Sequence, residues 1–399
     1  MAQTGDETSS RYPGWRVVGA CLAMAMFGWG LAFYGSGVYL AAFQKAYGWP
    51  ASLIAGATTA CYLLSALLLT RVAWLIDRFG PRRFVLSAIG ALAVALVIMA
   101  FADRPWMVYA AFLAMSFGWI GLGSGSISMI IGRWFERRRG LAFSLALNGA
   151  SLGGVVVTPS LLLAIEHFGL RAGVLAGAAV MIVILVPVVV LFVRAPERAR
   201  APGTRPVAAS NLRILSMPQF WAVAGPFSIG FLALVGYIVH QVAILLPKLG
   251  VELAGAAVGI MTGAALVGRF VLGLVVDRLD QRRVAGIAFL VLAVVLFALH
   301  ELDDPLAILA VCAVLGAALG NATTLPSLVV QRVFEPALFA PVVGMVTATS
   351  QFTYALGPIL VGAVHDLTGG YDVPLLLCAA LDAVAGAMFL AAARRPAAP

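Results

Sequence analysis

Apolar runs of about twenty residues recur along the whole chain, and this repetition limits its fold more than any other feature. A run of that length crosses a hydrocarbon core of roughly 30 Å as a helix. Twelve runs can be drawn, at 15–43, 51–77, 84–102, 106–134, 141–165, 171–193, 219–247, 252–277, 284–301, 305–331, 339–364 and 373–393. Composition agrees: 62% of residues are hydrophobic, 11% are charged and the mean hydropathy is +1.01. A soluble domain carries about 25% charged residues. The expected class is an all-α membrane protein with twelve transmembrane helices.

The N-terminal segment MAQTGDETSSRYPGW is polar and has no apolar region before a cleavage site, so the first run is expected to remain as a membrane helix. One connection is long. Residues 194–218 are basic and rich in Pro and Ala, the composition of a linker, and they divide the spans six and six. The expected organisation is an N-terminal six-helix bundle (1–193), a cytoplasmic linker (194–218) and a C-terminal six-helix bundle (219–399).

Charge sets the orientation. Of the 26 Lys and Arg residues, Lys45, Arg104, Arg171 and Lys248 fall in odd-numbered loops, and Arg71 and Arg269 fall inside spans. All the others lie at the termini, in the even-numbered loops or in the linker. By the positive-inside rule both termini and the linker are cytoplasmic, in a cell inner (plasma) membrane. The formal charge of +9 is thereby explained by topology, with no nucleic-acid partner. The four cysteines are scattered through apolar runs without metal-ligand spacing, and read as small core residues. No nucleophile elbow, phosphate loop or metal-ligand cluster is found, so no catalytic residue, metal or cofactor is expected.

The two halves echo each other. AWLIDRFGPRR (73–83) and GLVVDRLDQRR (273–283) share their charged skeleton at an offset of 200, each after the second span of its half. Asp77, Arg78 and Arg82 match Asp277, Arg278 and Arg282. Internal repeats of this kind mark transporters built from two related bundles, so the bundles are expected to be pseudo-symmetric. These six residues read as a cytoplasmic latch, with topology anchoring as the competing reading.

This repeat resembles the signature of the major facilitator superfamily, G-x-x-x-D-R/K-x-G-R-R. The first copy has Ala73 for the leading glycine and keeps Gly80; the second keeps Gly273 and has Asp280 for the later glycine. A narrower resemblance is to the monocarboxylate-porter and oxalate–formate-exchanger group, in its prokaryotic, monocarboxylate transporter-like form. It is carried by PGWRVV (13–18), WFERRRGLAFSLALNGASLGG (134–154), LGPILVGAVHDLTGGY (356–371) and GRFVLG (268–273). The acidic residue that eukaryotic members place before the first span is absent. Phe143, Ser144, Asn148 and Ala150 depart from the fifth-span pattern.

Arg269 lies eight residues before Asp277, about 12 Å deeper along a helix, near mid-membrane. An Arg at that depth costs several kcal/mol and cannot readily be neutralised. Its planar fork suits a carboxylate through two hydrogen bonds, and the resemblance places the group's substrate-carboxylate Arg here. Competing readings are a permanent pair with a buried acid, of which Asp382 is the deep one, or snorkelling to the cytoplasmic edge. Arg71, only six residues from Asp77, fits snorkelling better. His240, in the outer half of the seventh span, stands where prokaryotic relatives often carry a His. It can hydrogen-bond a carboxylate and exchange a proton near neutral pH, which makes it the proton-coupling candidate. Tyr34, Asn148, Gln241, Asn321 and Tyr354 are polar groups in spans expected to line a cavity, with interhelical hydrogen bonding as their other use.

The first span has no Lys at YGSGVYL, and 339–364 contain no Lys or Arg, so one deep cation suits one carboxylate. The expected function is secondary transport of small organic anions, foremost monocarboxylates, by alternating access. The partners are a small carboxylate, a proton if transport is coupled, and the lipid bilayer; a monomer is expected. The alternative is a major-facilitator exporter of drugs or other amphiphiles. Gly140, Gly149 and Gly153 fit the exporters' fifth-span spacing, but Gly154 replaces its Pro.

Overall fold

The computed structural model describes residues 7–9, 12–194, 211–275, 278–335 and 338–393, and these are helical apart from short connections. The first span is one continuous rod, Gly14–Tyr47, with a π-helical turn at Trp29–Phe33. The second is Ala51–Leu69 followed by Val72–Phe79, the third Pro81–Ala100, and the fourth Pro105–Leu122 with Ser124–Gly132. The fifth and sixth run through Arg139–Leu152, a second π turn at Gly153–Val157, and Thr158–Phe192, which breaks at Gly169. Pro218–Val275 holds the seventh and eighth, broken at Gly250. Gln281–Glu301, Pro305–Val333, Phe339–Tyr354 with Gly357–Thr368, and Asp372–Ala393 complete the twelve spans among the described residues.

The breaks follow from backbone chemistry. Gly169 and Gly250 take φ 80° and 73°, which a residue with a Cβ rarely adopts. Gly369, offset by 200 from Gly169, also has positive φ (75°), but as a left-handed cap that ends the eleventh span. The two signature copies start their next helices differently. The first uses Gly80 at φ 79° followed by Pro81. The second, where Asp280 stands, caps the helix with that side chain, which accepts from the backbone N–H of Arg282 and Arg283. At matched positions a glycine supplies a positive-φ turn and an aspartate a side-chain cap.

The chain forms two compact units, Met1–Ala42 with Leu63–Gly203, and Phe43–Tyr62 with Thr204–Pro399. In the first unit the two π turns pack on each other. A Cβ on Gly30 would lie 3.0 Å from the Gly153 carbonyl oxygen, so the first and fifth spans approach at backbone distance. Thr158 Oγ1 donates to the carbonyls of Gly30 (3.0 Å) and Gly153 (3.3 Å), both of which sit in π turns. The second unit repeats the arrangement between the seventh and eleventh spans, where a Cβ on Gly236 would lie 3.0 Å from the Gly357 carbonyl oxygen. The eighth and tenth spans are also close: Gly316 and Gly320 sit on the backbone of Met261 and Ala265.

Phe43–Tyr62 joins the second unit through specific contacts. Asp366 accepts the N–H groups of Ala51 (3.0 Å) and Ser52 (2.9 Å) at the start of the second span. Gly362 would bring a Cβ to 2.9 Å from Ser52 Cα. The Ile359 N–H donates to Thr59 Oγ1 at 3.3 Å.

Candidate functional site

Arg269 sits in the eighth span, half-buried, one residue from the point where Gly268 meets Ala317 of the tenth span. Its Nε donates to the Ala265 carbonyl, one turn back, at 3.2 Å. Arg71, the other intraspan cation, is exposed at the break between Leu69 and Val72, as snorkelling requires. The two are therefore physically distinct.

His240 is fully buried and both ring nitrogens are engaged. Pro358 has only a carbonyl to offer, so His240 Nε2–H donates to it, at 3.0 Å. In the neutral ring Nδ1 is then the acceptor, and the Tyr371 hydroxyl donates to it at 3.1 Å. The same hydroxyl lies 3.5 Å from Gln44 Oε1, a second acceptor within its reach. His365 packs on the Tyr371 ring with centroids 4.2 Å apart, and its Nδ1 hydrogen-bonds Asp366 Oδ1 at 3.0 Å. His240 is thus joined through Tyr371 and His365 to the Asp366 contact with the second span. Sequence reasoning missed Asp366, Tyr371 and Gln44. The available signal was the aspartate and tyrosine of HDLTGGY.

Asp366 lies beyond the apolar part of its span. Burial alone would raise its carboxyl, but hydrogen bonds from Ser52, His365 and Ala51 outweigh that and hold it below the ordinary aspartate value.

The remaining predicted polar residues are divided between the units. Tyr34 and Asn148 belong to the first; Gln241, Asn321 and Tyr354 to the second. Tyr34 is buried and meets Phe33 edge-on. Asn148 is half-buried beside Gly149, which packs against the Leu22 carbonyl of the first span. Gln241 is fully buried, and neither its amide oxygen nor its nitrogen has a hydrogen-bond partner among the described residues. Asn321 lines a cavity of about 370 Å³ between the ninth and tenth spans, walled by Val284, Val291, Val314 and Ala317. Tyr354 meets Tyr62 edge-on at 6.1 Å. Asp382 is fully buried in the twelfth span, and among the described residues neither carboxylate oxygen has a hydrogen-bond partner.

At the signature, Asp77 forms an ion pair with Arg133 at the end of the fourth span. Arg78 lies over the Trp74 ring at 5.4 Å. Arg82 Nε donates to the Val193 carbonyl at 3.2 Å, just past the sixth span. Arg282 Nη1 donates to the Ala392 carbonyl at 3.3 Å, in the last turn of the twelfth. The repeated Arg therefore holds the C-terminal end of the last helix of its own half in both copies, where a cation is favoured. Arg278 is exposed, and Asp277 lies outside the described residues.

The sequence model of the Major Facilitator Superfamily matches residues 18–269 and 242–399. The chain belongs to this superfamily. Its apolar helices and this membership make it a multi-pass membrane protein of a transporter superfamily. Two solved structures share the transporter's fold. A point mutant of the nucleoside transporter NupG has a TM-score of 0.80 over 94% of this chain and 99% of that one. A bacterial homologue of the human lysosomal transporter Spinster has 0.77 over 97% and 98%. Each is 15% identical, which speaks to fold alone. Among curated relatives, the Aspergillus niger MFS-type transporter pynF is 31% identical over 49% of this chain and 45% of its own length. Human monocarboxylate transporter 11 is 28% identical over 50% and 43%. YhjX of Escherichia coli, an uncharacterised MFS-type transporter, is 27% identical over 63% and 64%. The transporter thus spans less than half the length of the first two.

Proposed function

We propose that this transporter carries small organic anions, foremost monocarboxylates, by alternating access across a cell inner membrane, with both termini cytoplasmic. The two repeats are bounded at 1–193 and 219–399 and joined by 194–218. The observation that carries the reading is Arg269, a permanent cation inside the apolar eighth span, between the break at Gly250 and the helix end at Val275, and half-buried there. A guanidinium at that depth is stabilised by an arriving carboxylate, which it binds with two parallel hydrogen bonds. The partial similarity to human monocarboxylate transporter 11 supports the same class.

His240 couples the cargo to gating. In the neutral ring the Tyr371 hydroxyl proton points at Nδ1. When His240 takes up a proton, Nδ1 becomes a donor and the Tyr371 hydroxyl turns to Gln44 Oε1. Asp366 on the Ala51 and Ser52 N–H groups closes the outer face and must let go for that face to open. At the cytoplasmic end Asp77, Arg78, Asp277 and Arg278 form the moving latch, while Arg82 and Arg282 tie down helix ends. Tyr34, Asn148, Gln241, Asn321 and Tyr354 supply hydrogen bonds to the cargo.

Uptake of radiolabelled monocarboxylates into proteoliposomes tests this. Uptake by wild type that disappears in Arg269→Ala and Arg269→Lys is expected. Unchanged uptake by the alanine variant would sink the reading.

A further inference from the structure

Tryptophan placement in this chain is uneven. Of the 8 tryptophans, Trp15, Trp49, Trp74, Trp106, Trp134 and Trp221 stand at or near helix ends. That is the position a membrane interface favours for an amphipathic indole. Trp29 and Trp119 do not fit. They lie near the midpoints of Gly14–Tyr47 and Pro105–Gly132.

The two exceptions touch each other. Their ring centroids are 4.7 Å apart in an edge-on arrangement. Phe33 stacks on Trp119 at 5.7 Å with an interplanar angle of 15°. All three residues are half-buried. Among the described residues neither indole N–H has a protein acceptor. The backbone of the first unit sets up the arrangement. The π turn Trp29–Phe33 widens the helix and places Trp29 and Phe33 at its two ends, and Gly30, inside that turn, seats it on Gly153. Wide turns of this kind are recurrent at functional sites.

Three rings from two helices, joined by close contacts and carrying two unclaimed N–H donors, are more than a filler for lipid contact. We propose that Trp29, Phe33 and Trp119 form a platform for a flat aromatic group, and that the transporter's preferred cargo is an aryl carboxylate rather than a short aliphatic acid. A π face is offered for edge or stacked contact with an aromatic ring, and the indole N–H groups suit oxygen substituents on it. This deepens the reading of the cargo as a carboxylate and rests on it.

The test is binding to the purified protein, followed by thermal shift and by quenching of tryptophan fluorescence. The probes are benzoate, cyclohexanecarboxylate, acetate and the neutral benzamide. Benzoate is expected to bind about tenfold or more tighter than acetate, and tighter than cyclohexanecarboxylate. Trp119→Ala is expected to remove most of that advantage while leaving acetate binding as it was, and Trp119→Phe to keep part of it. Trp106→Ala, at a span end, serves as the control and should change nothing. Cyclohexanecarboxylate binding as tightly as benzoate overturns the aromatic platform, as does an equal loss of acetate and benzoate in Trp119→Ala and Trp119→Phe. Benzamide binding as well as benzoate, with both lost in Trp119→Ala, keeps the platform and defeats the carboxylate reading instead.

Discussion

The Asp366 carboxylate accepts the backbone N–H of Ser52 at 2.9 Å, across 314 residues of sequence. With the Ala51 N–H on its other oxygen, it caps the second span from the end of the eleventh. This is an N-cap supplied by a distant helix. Replacing such a cap by Ala costs about 1 kcal/mol, up to about 2. Asp366→Ala should therefore lower the melting temperature of the purified transporter measurably. Because the contact closes the outer face in our account, the variant should also expose position 59 to a membrane-impermeant thiol reagent when probed as Thr59→Cys.

The same group predicts a pH dependence. Its native pKa is held below the ordinary aspartate value, because hydrogen bonds from Ser52, His365 and Ala51 outweigh burial. A depressed carboxyl contributes stability that is full above the unfolded value, near about 3.9, and is lost as pH falls through the native value. The stability gap between wild type and Asp366→Asn should be constant at neutral pH and close below about pH 4. A gap that widened on acidification would contradict this assignment.

Arg82 and Arg282 should behave as twins. Each donates to a carbonyl at the end of the last helix of its own half. Each Arg→Ala change should cost roughly 0.5–1.5 kcal/mol. The sites lie in separate units, so the double variant should show the sum. Transport per folded molecule should survive both single changes, as measured by uptake normalised to protein in the membrane.

The glycine contact between the π turns tolerates no side chain. Gly153→Val would drive a Cβ into the Met26 carbonyl and the Gly30 backbone. Overpacking of this kind costs about 1–3 kcal/mol or more. Gly140, where an added Cβ meets nothing within 4 Å, should accept the same change with little effect. Detergent-solubilised melting temperatures of the two variants separate the cases.

The twelve spans were legible because each has to bury its own backbone hydrogen bonds in an apolar run, and that requirement writes itself into composition. Predicted spans at 51–77 and 252–277 correspond to helices Ala51–Leu69 with Val72–Phe79 and the second arm of Pro218–Val275. Arg269 stood out in sequence for the same reason: it is a charge inside such a run. The partners of His240 were not, since Pro358 and Tyr371 lie more than a hundred residues away and meet it only through packing. The π turns were also hidden. Trp29–Phe33 and Gly153–Val157 look like ordinary helix in sequence, and the extra residue per turn arises from how the two segments fit each other.

Arg71 and Arg269 provide the internal comparison for the central claim. Both are cations inside apolar segments, but Arg71 is exposed and Arg269 half-buried. The most direct measurement is thermal stabilisation of the purified transporter by a panel of carboxylates, repeated with Arg269→Ala and Arg71→Ala. Stabilisation follows ligand occupancy, reaching about 2.7 kcal/mol at about a hundredfold excess over Kd. The account predicts that at least one monocarboxylate stabilises wild type and Arg71→Ala alike, and that Arg269→Ala shows none of the effect. Equal stabilisation of Arg269→Ala, or stabilisation of wild type by neutral compounds alone, would contradict it.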